Sequence, residues 1–482
     1  MGVKRNFLYS AVLTVSNYVF PFIIYPYVSR VLGVENIGIC NYVDSIINYA
    51  SVFALMGVAV AGTREIARAA GDSEQLYRVF TAFFVLCAGM TLIATGALLW
   101  ATFTVEKMAP YKPLLLIGLA KLWGNFLLLE WFFRGIEDFR YITVRTIAVK
   151  MGYLVAVFAL IHVASDYAVY FLLICLMVAV NAAFNCVRAA TVVRFRWDAV
   201  VVRRCAIPFF IFGAYCVLTS LYTTFNVMYL GYEQGDVEVG YYTTSTKIFQ
   251  IVLALYTAYS TVVMPRASAL LSQGRKDEFH ELIRKSIYGL LAFAVPAAIF
   301  LMIFSRGVVY LIAGDGYEGA ELPMTIMMPL IFIIGYEQIL VIQVLMPLGS
   351  DKATLLNSGI GASISLVLNY LLIHVMMMGA VGSSIVWVCS EVVVLLLSQW
   401  FVTRYTRQRF PVGLFVRNVV SYLPYVVAAL AISYALSARS IYAMAAGGVL
   451  LVAYAVVVQV YVLKNPLIAE QIGVITNKLR GR

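Results

Sequence analysis

The chain has 482 residues, of which 62% are hydrophobic and only 12% are charged, and its formal net charge is +11 at neutral pH. Soluble globular domains carry roughly 25% charged residues, and the mean hydropathy here is +0.89. These values exclude a soluble fold. The apolar segments are about 20 or more residues long, which is the length of a membrane-spanning helix, and they lack the alternating pattern of a β-barrel.

Taken in chain order, the sequence predicts an all-α integral membrane protein with about fourteen transmembrane helices. The first span follows Lys4 and Arg5 and is too long for the apolar core of a signal peptide. The connections are short, so no extramembrane domain is expected. The fourteen predicted spans cover, approximately, residues 7–32, 37–62, 77–103, 112–134, 141–163, 166–187, 206–230, 238–265, 286–312, 322–347, 354–376, 379–403, 414–437 and 440–463.

The distribution of basic residues predicts the orientation. With the N-terminus inside the cell, 28 of the 35 lysines and arginines fall at inner ends of spans and five at outer ends. This asymmetry is typical of cytoplasmic loops, so both termini are predicted to be cytoplasmic. It also accounts for the basic net charge, and no nucleic-acid partner is expected. The two remaining basic residues, Lys121 and Lys247, lie inside spans.

An internal repeat divides the chain. The junction Gly33–Gly38 recurs as Gly231–Gly240, about 200 residues later. Six spans separate the two copies, so both cross the membrane in the same direction, which favours a substrate site between two six-helix bundles. The predicted domains are an N-terminal bundle at 1–200, a C-terminal bundle at 201–405, and residues 406–482 as two extra transmembrane helices with a short cytoplasmic amphipathic tail.

Ionisable residues inside the spans are the candidate functional residues. A charged side chain at the bilayer centre costs about 2.5–3.5 kcal/mol on insertion scales, so each needs a partner, a ligand or water. These residues are Asp44, Lys121, Glu130, Lys247, Glu337 and Glu391, with Arg30 near the outer end of the first span.

Two interpretations of this set stay open. In the functional one, Lys121, Lys247 and Arg30 bind an anionic substrate in a hydrated cavity, while Asp44, Glu337 and Glu391 balance the charge or couple an ion. In the structural one, pairs such as Asp44–Lys121 fix helix packing, Arg30 is an interfacial anchor, and Glu130 reaches the inner interface beside Arg134.

Other chemistries lack a signature. The seven cysteines show no CxxC spacing, the three histidines are scattered, and no phosphate-binding glycine loop occurs. We therefore expect no metal, no cofactor and no enzymatic activity.

Three segments resemble a known family. They are Glu130–Trp–Phe–Phe–Arg–Gly–Ile–Glu–Asp–Phe–Arg–Tyr–Ile, Pro26–Tyr–Val–Ser–Arg–Val–Leu–Gly33 and Gly62–Thr–Arg–Glu–Ile–Ala67. Together with two six-span repeats and a basic interior, they resemble the bacterial polysaccharide repeat-unit flippases. These are the Wzx (RfbX) type of the multidrug/oligosaccharidyl-lipid/polysaccharide exporter superfamily. Relatives of this branch often have twelve spans, so the two helices after Phe410 are a departure.

The resemblance implies a function and its partners. The implied substrate is an oligosaccharide on undecaprenyl diphosphate, turned from the inner to the outer leaflet of the bacterial plasma membrane for O-antigen, capsule or exopolysaccharide synthesis. Implied partners are membrane lipids, H⁺ or Na⁺ as a coupling ion, and a polysaccharide polymerase. The alternatives are a lipid II flippase, whose branch commonly has fourteen spans, and a cation-coupled multidrug antiporter.

Overall fold

The computed structural model describes residues 3–348, 351–436 and 440–467, and this part of the chain is helical throughout, without strands. The predicted all-α fold is confirmed. Short 3₁₀ or π turns occupy Glu106–Tyr111, Ala164–Asp166, Glu318–Ala320, Ile339–Leu345, Tyr370–Val375 and Val458–Val462. The α-helices are α1 (Val3–Leu55), α2 (Val58–Ala69), α3 (Ser73–Thr104), α4 (Lys112–Leu127), α5 (Glu130–Gly135), α6 (Phe139–Leu160), α7 (Tyr167–Val192), α8 (Ala199–Thr223), α9 (Phe225–Gln234), α10 (Asp236–Ser272), α11 (Lys276–Ile303), α12 (Ser305–Ala313), α13 (Glu321–Met327), α14 (Leu330–Gln338), α15 (Asp351–Asn369), α16 (Gly379–Thr406), α17 (Val412–Ser421), α18 (Leu423–Ala435) and α19 (Ile441–Val457).

Among the described residues, twelve helical segments are long and apolar enough to cross a membrane, or thirteen if a bent pair counts as one span. The first segment runs 58 residues from Val12 to Ala69. At 1.5 Å per residue it would measure about 87 Å, against a hydrocarbon core of roughly 30 Å. Gly33 interrupts its helical geometry with φ 77° and ψ 171°, so it is two spans, as predicted. Counting both arms and the bent pair gives fourteen.

The bent pair corresponds to the tenth predicted span. Glu318–Met327 and Leu330–Leu345 meet at an angle of 41°. Pro329 stands at the break, where its ring and missing N–H interrupt the helix. The predicted amphipathic tail lies mostly outside the described residues, which end at 467.

The contacts of the chain group it into two compact units. The first contains residues up to 243 together with 365–379, and the second contains 244–364 together with the residues from 380 onward. Compactness and sequence repetition are different properties, so the domain boundaries inferred from the repeat stay a prediction.

The first unit has an aromatic core. Leu129 adopts a left-handed conformation with φ 47°, which ends α4 and starts the short helix α5. This break turns Trp131, Phe132 and Phe133 inward, where all three are buried. Trp131 stacks on Phe80 with ring centroids 5.7 Å apart. The Trp–Phe–Phe part of the motif is thus packing, and the charged residues around it are the candidates for chemistry.

Helices in the second unit are held by polar side chains as well as by apolar ones. Gln338 donates to Thr257 at 3.0 Å, and Gln343 donates to the buried hydroxyl of Ser260 at 3.0 Å. The end of the last described span is fixed by Asn465, which donates to the carbonyl of Tyr288 on α11 at 3.3 Å. Such bonds compensate polar groups that would be costly to leave unpaired in a membrane.

The repeat is visible in the backbone of the first unit. Gly235, which lies inside the second copy of the junction, has φ 88° and ψ −178°, nearly the dihedrals of Gly33 in the first copy. Five residues beyond each lies a second glycine. A Cβ on Gly38 would overlap the main chain of Asp236, and a Cβ on Gly240 would overlap that of Val34. The contact is reciprocal under the repeat, as expected of two equivalent helix starts that cross at a symmetric point.

Because backbone meets backbone at this crossing, we expect Gly38→Leu or Gly240→Leu to destabilise the protein. Forcing extra methylenes into a closely packed contact typically costs about 1–3 kcal/mol. The measurement is the midpoint of thermal unfolding of the detergent-solubilised chain. Gly89→Leu is the matched control, since Gly89 is an exposed helical glycine with open space around its Cβ. Equal midpoints for the three variants would contradict the close crossing.

Candidate functional site

The intramembrane ion pair of the first unit joins α1 and α4. Lys121 lies in the middle of α4, and its Nζ is 2.5 Å from Oδ1 of Asp44 on the second arm of α1. The second carboxylate oxygen of Asp44 accepts from Asn48 at 2.9 Å. The Lys121 side chain is only 10% exposed, whereas the Asp44 side chain is 25% exposed. The lysine is therefore enclosed, and the carboxylate is the open side of the pair.

The ion pair belongs to a polar stripe. Asn41, Asp44, Asn48 and Ser51 follow one another at spacings of three and four residues, which places them on one face of the helix. Asn125, one turn beyond Lys121, donates to Ser51 at 3.1 Å. This stripe was missed by reasoning on charged residues alone, although its spacing is a readable signal.

The stripe continues to the start of α10. Asn41 donates to Thr243 at 3.0 Å, one turn beyond the glycine crossing at Gly240. The polar face and the crossing are therefore parts of one surface within the first unit.

Chemically, this arrangement can exchange one anion for another. A lysine ammonium has three donors and no acceptor, and its charge must remain compensated while it is buried. Of the two partners only Asp44 has substantial exposure. An anionic group that approached from the open side could take over the ammonium, provided that the Asp44 carboxylate were protonated or otherwise neutralised.

Arg30 lies apart from this pair along the chain, on the arm of α1 that precedes Gly33. The residue is exposed, and its Nη1 donates to the carbonyl of Pro26 at 2.8 Å. This contact within its own helix fits the interfacial anchor that was left open as an alternative. A substrate-binding role for Arg30 stays a prediction.

A second charged cluster surrounds Glu130. Its carboxylate accepts from Arg134 at 3.1 Å and lies 3.7 Å from Arg145. Arg145 is only 7% exposed, although it is one of the basic residues at the inner ends of the predicted spans. It also donates to Thr146 at 2.8 Å and to the carbonyl of Asn181 on α7 at 3.4 Å.

The carboxyl residues of the second unit come together. Glu337 on α14 and Glu391 on α16 are neighbours whose carboxyl groups interact with each other. The indole N–H of Trp387 donates to Oε1 of Glu391 at 3.1 Å, and Glu391 is 5% exposed. Carboxylate oxygens only accept, so a hydrogen bond between two carboxyl groups requires a proton. The pair is chemically suited to hold one.

Lys247 lies half-buried on α10 in the second unit and is not a free cation. Its neighbours Ser245 and Phe249 are fully buried. The structure thus brings together four of the six predicted site residues as two pairs, Lys121 with Asp44 and Glu337 with Glu391. The functional assignment of all six residues stays a prediction.

Comparison with known proteins identifies the family. A sequence family described as polysaccharide biosynthesis protein matches residues 3–271, more than half of the chain, and the MatE family matches residues 211–371. A protein of Escherichia coli K12 named "Putative O-antigen transporter" is 26% identical over 353 residues, which is 72% of this chain and 84% of that protein. A protein of Shigella dysenteriae with the same name is 27% identical over 64% of this chain and 76% of its own length.

Solved structures share the fold. The lipid II flippase MurJ in an inward closed conformation superposes with a TM-score of 0.76 at 12% identity, covering 94% of this chain and 98% of MurJ. An inward-facing multidrug resistance MATE transporter gives a TM-score of 0.64 at 14% identity, covering 83% of this chain and 99% of that transporter. At these identities the likeness concerns the fold alone. The chain therefore belongs to the polysaccharide biosynthesis protein family, and its resemblance to the Wzx-type flippases of the multidrug/oligosaccharidyl-lipid/polysaccharide exporter superfamily is confirmed.

Proposed function

We propose that this chain turns oligosaccharide repeat units, linked to undecaprenyl diphosphate, from the cytoplasmic to the periplasmic leaflet of the bacterial inner membrane. It acts by alternating access, as a transporter and not an enzyme, with both termini cytoplasmic. The family match and the O-antigen transporter names of two relatives support a surface polysaccharide as the product. The periplasmic partner would be a polysaccharide polymerase.

The observation that carries the proposal is the Lys121–Asp44 pair. A diphosphate is an anion that must cross the hydrocarbon layer, and charge-assisted contacts to an ammonium are among the strongest available to it. In the proposed cycle Lys121 leaves Asp44 for the diphosphate, and the sugars lie along the polar stripe at Asn41 and Asn48. We assign a second phosphate contact to Lys247, because it is the other basic residue inside a predicted span.

Two other functions are weighed against this one. A lipid II flippase is favoured by the MurJ-like fold and the count of spans, but the fold is shared across the superfamily. A multidrug antiporter would recognise organic cations, so it would depend on its carboxylates more than on Lys121. Depletion of the protein distinguishes the proposed repeat-unit flippase from a lipid II flippase. Loss of a lipid II flippase causes lysis, whereas loss of a repeat-unit flippase removes only a surface polymer.

The ion pair predicts a separation of stability from transport. Removing one partner leaves an uncompensated buried charge, so Lys121→Met or Asp44→Asn alone should cost about 3–5 kcal/mol. The double variant removes both charges and should recover most of that stability. We nevertheless expect cells that express the double variant to make no surface polysaccharide. The measurement is gel analysis of the polymer in the native host from which the chromosomal gene for this protein has been deleted.

Protein level and thermal midpoint of each variant are measured alongside the polymer. Arg68→Gln is the control, since Arg68 pairs with Glu65 at an exposed site where an ion pair contributes little. Normal polymer from the double variant would show that the pair serves packing only, and the assignment of Lys121 as a phosphate ligand would be wrong.

We further propose that Glu337 and Glu391 bind the coupling ion and that this ion is H⁺. A glutamine at 391 can donate to Glu337 without a titrating proton. Glu391→Gln should therefore fold normally but lose the dependence of transport on a pH gradient. The measurement is flipping of a fluorescent undecaprenyl-diphosphate disaccharide in proteoliposomes under imposed H⁺ or Na⁺ gradients.

Glu281→Gln is the matched control, because Glu281 forms an exposed pair with Lys285 in the same unit. It should retain the pH dependence of the parent. A rate that follows the Na⁺ gradient, or a Glu391→Gln variant that still responds to pH, would contradict proton coupling through this pair.

A further inference from the structure

A groove runs along the side of the first unit between α6 and α7. One cavity of about 370 Å³ is walled by Gly152 and Ala156 on α6 and by Leu173 and Leu176 on α7. A second cavity of about 590 Å³ adjoins it, and the two share Ala148, Val149 and Phe184. Both helices are long and apolar enough to span a membrane, and Leu176 and Phe184 at the groove are exposed apolar side chains, which is expected of a surface in contact with lipid.

The groove changes character along its length. The cavity beside Gly152 is walled by aliphatic and aromatic side chains, with the phenol of Tyr153 as the exception. The adjoining cavity is lined by three arginines and one acid, Arg140, Arg145, Arg188 and Asp138. Charge at one end and an apolar trough beyond it are the two halves of an amphipathic binding site.

The charged end retains positive charge after its internal pairs are counted. Asp138 lies 3.6 Å from Arg188, and Glu130 serves both Arg134 and Arg145. Arg140 is exposed and has no ion pair within the described part of the chain. These arginines therefore outnumber the acids that could neutralise them.

Arg145 adds an observation of its own. Its side chain is buried, with only 7% of the residue exposed. Its Nε has no hydrogen-bond partner in the described part of the chain. An unpaired donor on a buried guanidinium is costly. Arg145 also lines the second cavity, so an anionic oxygen there would lie beside a guanidinium whose hydrogen bonds within the protein are incomplete.

Tyr141 fixes the arginines in place. Its hydroxyl donates to the carbonyl of Phe184 at 2.8 Å, which ties the start of α6 to α7. The guanidinium carbons of Arg145 and Arg188 lie 5.9 Å and 5.8 Å from its ring centroid. The charged end is thus a built arrangement of two guanidinium groups flanking one aromatic ring.

The dimensions select the occupant. From Arg140 to Ala156 the helix rises about 24 Å, whereas one leaflet contributes about 15 Å of hydrocarbon. A lipid headgroup followed by one acyl chain would fill the groove's length of about 24 Å. A polyprenyl chain would extend far beyond the groove. We propose that this groove is a binding site for one anionic phospholipid, with its phosphate on Arg140, Arg145 and Arg188 and one acyl chain over Gly152.

This inference does not depend on the proposed transport function, because it concerns a different face of the first unit and its readout is lipid binding. The full-length chain in detergent is titrated with phosphatidylglycerol carrying palmitoyl and oleoyl chains, and bound lipid is counted by native mass spectrometry. Phosphatidylethanolamine with the same chains, undecaprenyl phosphate and inorganic phosphate are titrated in parallel.

We expect phosphatidylglycerol to bind at least tenfold more tightly than phosphatidylethanolamine. Arg140→Gln should weaken it about tenfold, which is the effect of losing one charge-assisted contact. Arg194→Gln is the matched control, because Arg194 is also exposed and without an ion pair in the described chain but does not line the groove.

The apolar half has its own variant. A Cβ on Gly152 would meet open space, so Gly152→Phe fills the trough without clashing with the protein. It should weaken phosphatidylglycerol binding about as much as Arg140→Gln does, while Gly89→Phe, at an equally open glycine outside the groove, should not. Unchanged binding in Gly152→Phe would overturn the proposal. So would displacement of the lipid by inorganic phosphate alone, or undecaprenyl phosphate binding that is tighter than that of phosphatidylglycerol and is lost in Gly152→Phe.

Discussion

The cost of a charge in hydrocarbon is the constraint on which this structure depends. Lys121 is enclosed by protein, and its ammonium is compensated by Asp44 on a neighbouring helix. Because a pair is stable only when both members are held in place, the second arm of α1 and α4 must pack in one register. A charge that seemed costly on a single helix thus specifies how two helices meet.

The same constraint applies to the backbone. The left-handed conformation of Leu129 ends α4 inside a segment of spanning length and frees carbonyl groups from the helical pattern. Asn185 on α7 donates to the carbonyl of Leu128 at that break. Glu130 then begins α5 and meets Arg145, so one irregular turn is compensated by an amide and an ion pair from two other helices. The break in turn places Trp131 and its neighbours in the aromatic core.

The sequence was sufficient for everything that depends on position along a helix. It located the spans, the junction at Gly33 and the buried Lys121, because hydropathy and charge are properties of chain position. It could not decide between a ligand and a partner for Lys121, since that depends on which face of α4 meets which face of α1. Part of one face can be predicted from the sequence, because Asn41, Asp44, Asn48 and Ser51 keep helical spacing.

Arg145 shows the opposite failure. It is one of the 28 basic residues at inner ends of the predicted spans, yet it is buried and pairs with Glu130. Charge density along the chain cannot distinguish an arginine that faces water from one that faces the helix behind it. The bend at Pro329 differs, because its physical cause lies in the residue itself.

The glycine crossing and the ion pair suggest how the proposed transport could proceed without a large barrier. Gly38 and Gly240 allow close backbone contact near one end of the polar stripe, and such a contact can separate without exposing any side chain that was bound there. If the diphosphate replaces Asp44 as the anion next to Lys121, the lysine keeps a counter-charge at every stage. The free energy of desolvating the Lys121 ammonium is then spent once, during folding, and does not recur in each transport cycle. What changes in the proposed cycle is the partner, and the exposed side of Asp44 is where that exchange begins.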